Sequence, residues 1–340
     1  MRKSIDIGGK ADIALKHANG IDRGKDLFPT GSTLLNLALS DDPYGGFAAG
    51  CLANIIGDQS SGKTFLSWSI FAEMNADDAF KDYVLYYDDV EQRLRIAVEK
   101  MFGKKISERV VIEGSDLIED YYSSILQKFK KKRSFVHVLD CLDALSDREE
   151  KKREELKKDY PAKTNLLTEM LRKIKAELRQ TSSFLVIVSQ TRENIGVVFG
   201  PKKRRAGGRA LGHYDTYEMW LSQRGEIAKK GREVGVHVNV KITKNSMTGK
   251  LREVKFDILH DYGIDDVSSM VDWMCDEGFW LKEKGKQTID TGKDFGVYTR
   301  DKLISMIDKE KREGELIGIV AACWKQLEDE VRTNRRPRYS

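Results

Sequence analysis

Eight consecutive residues, Gly57-Asp58-Gln59-Ser60-Ser61-Gly62-Lys63-Thr64, place glycines, a lysine and a hydroxyl at the spacing that cradles phosphates. The glycines let the backbone turn tightly, so that successive N–H groups and the positive end of a following helix face an anion. Lys63 is expected to reach the β and γ phosphates of a nucleoside triphosphate, and Thr64 to put its hydroxyl on Mg²⁺. The flanks supply the required context. Leu52-Ala53-Asn54-Ile55-Ile56 reads as a buried strand, and Phe65 to Met74 reads as a helix.

Hydrolysis of a bound triphosphate needs further carboxylates. Asp140 closes the apolar run Phe135-Val136-His137-Val138-Leu139 and is the expected second group around Mg²⁺. Asp88, Asp89 and Glu91 cluster after Tyr83-Val84-Leu85-Tyr86-Tyr87; Glu91 has the longest reach toward an attacking water, while Asp88 and Asp89 stay open as alternatives. A different chemistry is written between Gln190 and Leu211. Arg192, Lys202, Lys203, Arg204, Arg205 and Arg209 are interleaved there with seven glycine, proline and alanine residues and one aromatic, Phe199. Such a segment cannot bury a core, and flexible backbone, clustered cations and an apolar wedge are what a site tracking single-stranded DNA requires.

The elements that must hold these groups alternate. Strands at Leu52–Ile56, Tyr83–Tyr87, Phe135–Asp140 and Phe184–Val188 are separated by amphipathic helices, one carrying Leu117, Tyr121, Ile125 and Phe129 on a face, another Leu167, Leu171, Ile174 and Leu178. This pattern predicts an α/β fold with a mainly parallel twisted sheet covered by helices on both sides. Val236–Ile242 and Val254–Leu259, joined through Met247-Thr248-Gly249, predict an antiparallel hairpin at one sheet edge. From about Val267 the pattern is helical and amphipathic, ending in the basic Arg335-Arg336-Pro337-Arg338. The expected organisation is an arm over residues 1–29 with a short helix near Ala11–His17, an ATPase core over 30–270, and a small helical C-terminal region with a basic tail over 271–340.

Composition narrows the class. With 340 residues a sizeable core needs no metal or disulfide staple, and the four cysteines (Cys51, Cys141, Cys275, Cys323) show no paired spacing, so reduced thiols and a cytoplasmic setting are expected. Lys plus Arg exceeds Asp plus Glu by 59 − 54 = 5, which permits nucleic-acid binding without demonstrating it. No run approaches the roughly 18 apolar residues of a spanning helix. Trp68, Trp220, at the end of an apolar strand, and Trp273 read as packing residues, and His137, alternating with valines, as a satisfied core histidine.

Thr30-Gly31-Ser32, Gly45-Gly46, the phosphate loop, Asp140, Ser189-Gln190, Ile195-Gly196-Val197-Val198-Phe199-Gly200 and Gly207-Gly208-Arg209-Ala210-Leu211 together resemble the RecA recombinase core, in order and approximate spacing, from about residue 29 to 280. The short arm and divergent ends are more similar to a phage-encoded member than to a cellular one. The resemblance implies an ATP-dependent protein that forms helical filaments on single-stranded DNA and exchanges strands with homologous duplex, with single-strand-binding and loading proteins as further partners. It implies phosphate and Mg²⁺ binding by Lys63 and Thr64, water activation by Glu91, a metal-shell role for Asp140, and a sensor role for Gln190 linking the γ-phosphate to the DNA segment. It further implies that Lys244 reaches the phosphates of a neighbouring protomer. Ser246 stands where the family usually has a second lysine, which leaves that role to Lys244 or nearby Lys250; Arg95, Val98 and His260 stand where the family packs adenine. A second DNA loop would fall near Arg153–Tyr160, with Lys157, Lys158 and Tyr160 as its contacts. Two other readings share the core: an accessory or regulatory factor that binds ATP and DNA without pairing strands, and a ring motor of the replicative-helicase type.

Overall fold

A computed structural model describes residues 27–92, 98–152, 161–193, 203–205, 210–282, 287–333 and 335–336. Strands in chain order are β1 (Leu27–Phe28), β2 (Phe47–Ala48), β3 (Leu52–Gly57), β4 (Val84–Asp89), β5 (Val110–Glu113), β6 (Phe135–Asp140), β7 (Phe184–Glu193), β8 (Lys203–Arg205), β9 (Tyr217–Lys229), β10 (Arg232–Asn245), β11 (Glu253–Leu259), β12 (Gly263–Asp265), β13 (Leu281–Lys282), β14 (Thr288–Asp290) and β15 (Val297–Thr299). The central sheet runs β12-β11-β10-β9-β3-β7-β6-β4-β5, with β8 paired to β7. From β9 to β5 every neighbour is parallel. From β9 to β12 the pairs are antiparallel.

Alternation along the middle strands explains why both faces are covered. In β7, Phe184, Val186 and Val188 point into one core, and Leu185 and Ile187 into the other. The first core receives Leu66, Ile70 and Phe71 of the helix Lys63–Ala76. The second receives Tyr121 and Ile125 of the helix Ile118–Lys130, and Leu167, Leu171 and Leu178 of the helix Pro161–Thr181. At the entry to the sheet Phe184 is stacked between Phe28 and Phe47, with centroids 5.2 and 5.0 Å away, and Tyr217 meets Phe47 edge-on at 5.3 Å. These contacts fasten the β1–β2 ribbon to β7 and β9.

The sheet is as expected, and three details differ. The antiparallel edge is larger than one hairpin, because β9 pairs with β10 along nearly its whole length and β12 follows β11. The chain after Val267 is not purely helical. Between the helices Asp266–Asp276 and Arg300–Lys309 it forms a three-stranded sheet, β13-β14-β15, before the helix Glu313–Glu330. Trp220 lies within β9 rather than at a strand end, half-buried, with its indole N–H donating to Glu218 at 3.0 Å. Among the described residues no helix is long and apolar enough to cross a membrane. The expected helix near Ala11–His17 lies outside the described residues.

Ser32 caps the helix Thr33–Ser40, its side chain accepting from Leu35 N, while the next N–H, that of Thr33, donates to the distant Asp266 carboxylate at 2.8 Å. The Thr33 hydroxyl donates to the same carboxylate at 2.7 Å. Asp266 is enclosed, shares a cavity of about 440 Å³ with Glu73 and Glu313, and burial pushes its carboxyl from 3.8 up to about 7 despite those hydrogen bonds. The folded state therefore holds a proton that the unfolded chain has already released, so stability falls as pH rises from about 4 to about 7, by at most about 4 kcal/mol, then levels. Asp266→Asn removes that dependence. Its melting temperature, by calorimetry, should exceed that of the parent protein by several degrees at pH 8 and by much less at pH 5; an equal difference at both pH values would contradict the assignment.

Candidate nucleotide site

The phosphate loop sits where a buried parallel strand stops. β3 lies between β7 and β9, with Gly57 opposite Gln190 on one side and Leu221 on the other. A Cβ on Gly57 would come within 2.3 Å of Ser61 Oγ and 2.7 Å of the Leu221 carbonyl, so only glycine passes here. Ser60 and Gly62 turn the chain through left-handed backbone, φ 62° and 92°. The helix Lys63–Ala76 then starts with no side-chain cap and no acid in its first turn. Its open N–H groups make an anion seat. Ser61 Oγ is buried there without a partner, which is a polar atom waiting for a ligand.

Lys63 folds back over the loop, its Nζ donating to the carbonyls of Gly57 at 3.0 Å and Asp58 at 2.5 Å. Burial lowers its ammonium pKa, and the charges of Asp140, Cys141, Asp58 and Glu91 work the other way. The Thr64 hydroxyl donates to Asp140 Oδ2 at 2.8 Å. Burial raises the Asp140 carboxyl, opposed by hydrogen bonds from Tyr87 and Thr64 and by the Lys63 charge. Hydroxyl and carboxylate oxygens beside a phosphate seat are the hard donors that Mg²⁺ takes, so these residues fit that ion.

The strand ends bring Glu91 and Gln190 together. Asp89 lies opposite Asp140 in the β4–β6 register. In the turn after β4, Glu91 Oε1 accepts from Gln190 Nε2 at 2.9 Å and from the Cys141 thiol at 3.4 Å. Burial, with Glu91 adding to it, pushes the Cys141 thiol up to about 12. The Gln190 backbone N–H donates to Asp143 at 2.7 Å, and the next residue, Thr191, donates from its hydroxyl to Asp58 of the loop. Asp88 is taken out of the contest for this site. It is buried and accepts from Ser115 N at 2.7 Å and Ser115 Oγ at 2.6 Å.

The basic segment expected to meet DNA is described only in part. Arg192 is exposed on β7, where its backbone pairs with Arg204, and Arg205 is turned to Glu218 and Asp215. Ile195, Gly196, Val197, Val198, Phe199, Gly200, Lys202, Gly207, Gly208 and Arg209 lie outside the described residues, as do Arg95 and the stretch Arg153–Tyr160. Lys244 Nζ donates to the Gly212 and Asp215 carbonyls at 2.8 and 2.6 Å and to the Asp215 carboxylate at 2.8 Å. Lys250 instead pairs with Asp41 and Glu328, each at 2.8 Å.

His137 is in the core, but it is not fully satisfied: Nε2 lies 3.4 Å from Glu113 and Nδ1 has no partner. With Asp88 and Glu113 it brings possible ligand atoms within 4.8 Å of one another. The nearest cation is the protein's own, Lys128, 2.6 Å from Glu113. Burial works to raise the Glu113 carboxyl, yet hydrogen bonds from His137 and Lys128 hold it down at about 2. That ties β5 and β6 to the helix Ile118–Lys130 as an internal ion network.

Sequence reasoning missed Tyr87, Cys141, Asp143 and Thr191. The one available signal was a phenol inside an apolar strand, since a buried tyrosine hydroxyl needs a partner.

The fold and the loop define a P-loop α/β protein with a phosphate seat, and with the Glu91 carboxylate near it, at the carboxyl ends of parallel strands. A family model of the RecA N-terminal domain matches residues 6–265. The RecA protein of Aquifex aeolicus is 27% identical over 296 residues, covering 85% of this chain and 84% of the relative. That of Thermus thermophilus is 30% identical over 247 residues, covering 72% and 70%. The chain belongs to the RecA family, and its role is that of a recombinase in DNA recombination and repair. Proteins of this family are DNA-dependent ATPases that work with a nucleotide and Mg²⁺.

Gly57→Ala tests the packing of the seat. A methyl group against a backbone carbonyl cannot be relieved by a rotamer change, so it should cost about 1–3 kcal/mol and displace the loop. The expected readout is a melting temperature lowered by several degrees together with loss of ATP binding by calorimetry; unchanged affinity would show that the loop has room the geometry denies.

Proposed function

We propose that this chain hydrolyses ATP as the timing step of a helical filament on single-stranded DNA, and that the filament pairs and exchanges strands with homologous duplex. The observation that carries the reading is the hydrogen bond from Gln190 Nε2 to Glu91 Oε1, because Gln190 stands at the mouth of the basic segment and Glu91 at the phosphate seat. A residue touching both sites can make one respond to the other. Thr191, bonded to Asp58, adds a second link from the same strand.

The chain's own groups divide the work. Lys63, freed from the Gly57 and Asp58 carbonyls, moves to the β and γ phosphates and offsets charge that develops during transfer. Asp58, Gln59, Ser60, Ser61 and Gly62 present the loop to the phosphates. Glu91 orients the attacking water and accepts its proton, and Gln190 and Cys141 keep its carboxylate aimed. Thr64 and Asp140 would hold Mg²⁺, which would supply positive charge against that of the phosphates. Lys244 serves the phosphates of a neighbouring protomer after leaving Asp215. Arg192, Lys203 and Arg204, with the rest of the segment to Arg209, track the DNA backbone, and Phe199 inserts between bases.

ATP turnover should rise with single-stranded DNA, and electron microscopy with a non-hydrolysable ATP analogue should show helical filaments rather than closed rings. Lys63→Ala should reduce turnover by about 100-fold or more and abolish the salt-stable DNA complex. Phe199→Ala should weaken strand exchange while ATP affinity holds. Equal loss of ATP affinity in both variants would sink the two-site reading, and DNA binding without turnover in the parent protein would favour an accessory role.

A further inference from the structure

Asp140 Oδ2 accepts two hydrogen bonds from residues of different kinds. Thr64, 2.8 Å away, belongs to the phosphate loop and its helix, the part of the site that must respond to nucleotide. Tyr87, 2.6 Å away, belongs to β4, a strand held on both sides by β5 and β6. Its ring is buried and packs on Trp68 at 5.0 Å between centroids. Trp68 is also fully buried, so the phenol stands on a rigid base.

A carboxylate at a strand end can rotate about its side-chain torsions unless something fixes it, and a misplaced donor weakens a metal shell as surely as a missing one. Thr64 alone cannot supply that fixity, because its hydroxyl is itself expected to turn to the cation. We propose that Tyr87 is a positioning residue that pre-sets the Asp140 carboxylate for the divalent cation bound with the nucleotide. This rests on the reading of Asp140 as the metal-shell carboxylate. A hydrogen bond to a charged group is worth more than one between neutral groups, so its loss should be measurable in cation affinity. The ring itself is not implicated, and Tyr87→Phe removes the hydroxyl while keeping the packing on Trp68.

The test is a binding measurement without turnover. A fluorescent, non-hydrolysable ATP analogue is titrated at stepped Mg²⁺ concentrations, and in excess chelator, with the parent protein, Tyr87→Phe and Asp140→Asn, well below the lowest of their melting temperatures. For Tyr87→Phe the Mg²⁺ concentration giving half the enhancement should rise about tenfold, while affinity in chelator stays within about twofold. Asp140→Asn should lose the Mg²⁺ enhancement. Should Asp140→Asn keep it, the metal-shell reading of Asp140 falls. If Asp140→Asn loses it while Tyr87→Phe matches the parent, or if Tyr87→Phe loses affinity equally with and without Mg²⁺, the positioning role of Tyr87 is overturned and Asp140 keeps its own. A second variant, Trp68→Phe, guards against a packing effect: it perturbs the base of the ring but leaves the hydroxyl, and should shift the Mg²⁺ midpoint less than Tyr87→Phe does. A larger shift from Trp68→Phe would assign the effect to packing.

Discussion

A buried parallel strand can end only where its polar termini find partners, and that constraint organises this protein. β3, β6 and β7 are buried on both faces by helices; Gly57 and Asp140 close β3 and β6, and Gln190 is the last residue of β7 beside β3 before β7 runs on to Glu193. The polar groups therefore satisfy one another or wait for a ligand: Asp140 accepts from Tyr87 and Thr64, Gln190 bonds Glu91 and Asp143, and Ser61 Oγ has no partner. The chemistry of the site is a consequence of how the sheet must stop.

The same constraint accounts for the local electrostatics. Withdrawal from water raises the proton affinity of Asp140 and lowers that of Lys63, so each disfavours its own charge. Proximity offsets both, and a bound triphosphate with its cation would extend the compensation. Across β4 the problem recurs in closed form. There Lys128 and His137 face Glu113, while Asp88 turns to Ser115, so the buried charge is met inside the protein. One cluster is left open to a ligand and the other is sealed by a lysine.

Much of this was legible in the sequence where pattern and chemistry coincide. The phosphate loop declares itself because only glycine fits beside Leu221, and Asp140 because it closes an apolar run. Strands with mixed exposure were harder to see. β5 is an edge strand whose Val111 and Ile112 are exposed, and β9 runs on from Ser222 as a polar ribbon beyond the covered part of the sheet, so neither carries the alternation of a half-buried strand along its length, whereas β10 was read from its alternating part, Val236–Ile242. β13, β14 and β15 have two or three residues each, too few for any period. Tyr87 escaped for another reason: its place in a strand can be read, but the register that aims its hydroxyl at Asp140 exists only once β4 and β6 are paired.

On the proposed reading, Lys244 keeps its role toward a neighbouring protomer in reserve within a single chain. Its ammonium makes three hydrogen bonds to Gly212 and Asp215, and the Asp215 side chain is buried. Leaving would strand that carboxylate, even with Arg205 at 3.9 Å, so the lysine would not move to a weak or water-exposed acceptor. A neighbour's triphosphate is a far stronger one. The contact with Asp215 thus sets a threshold: Lys244 would serve a neighbouring site only when that site is filled, which makes each interface in a filament conditional on the nucleotide it covers.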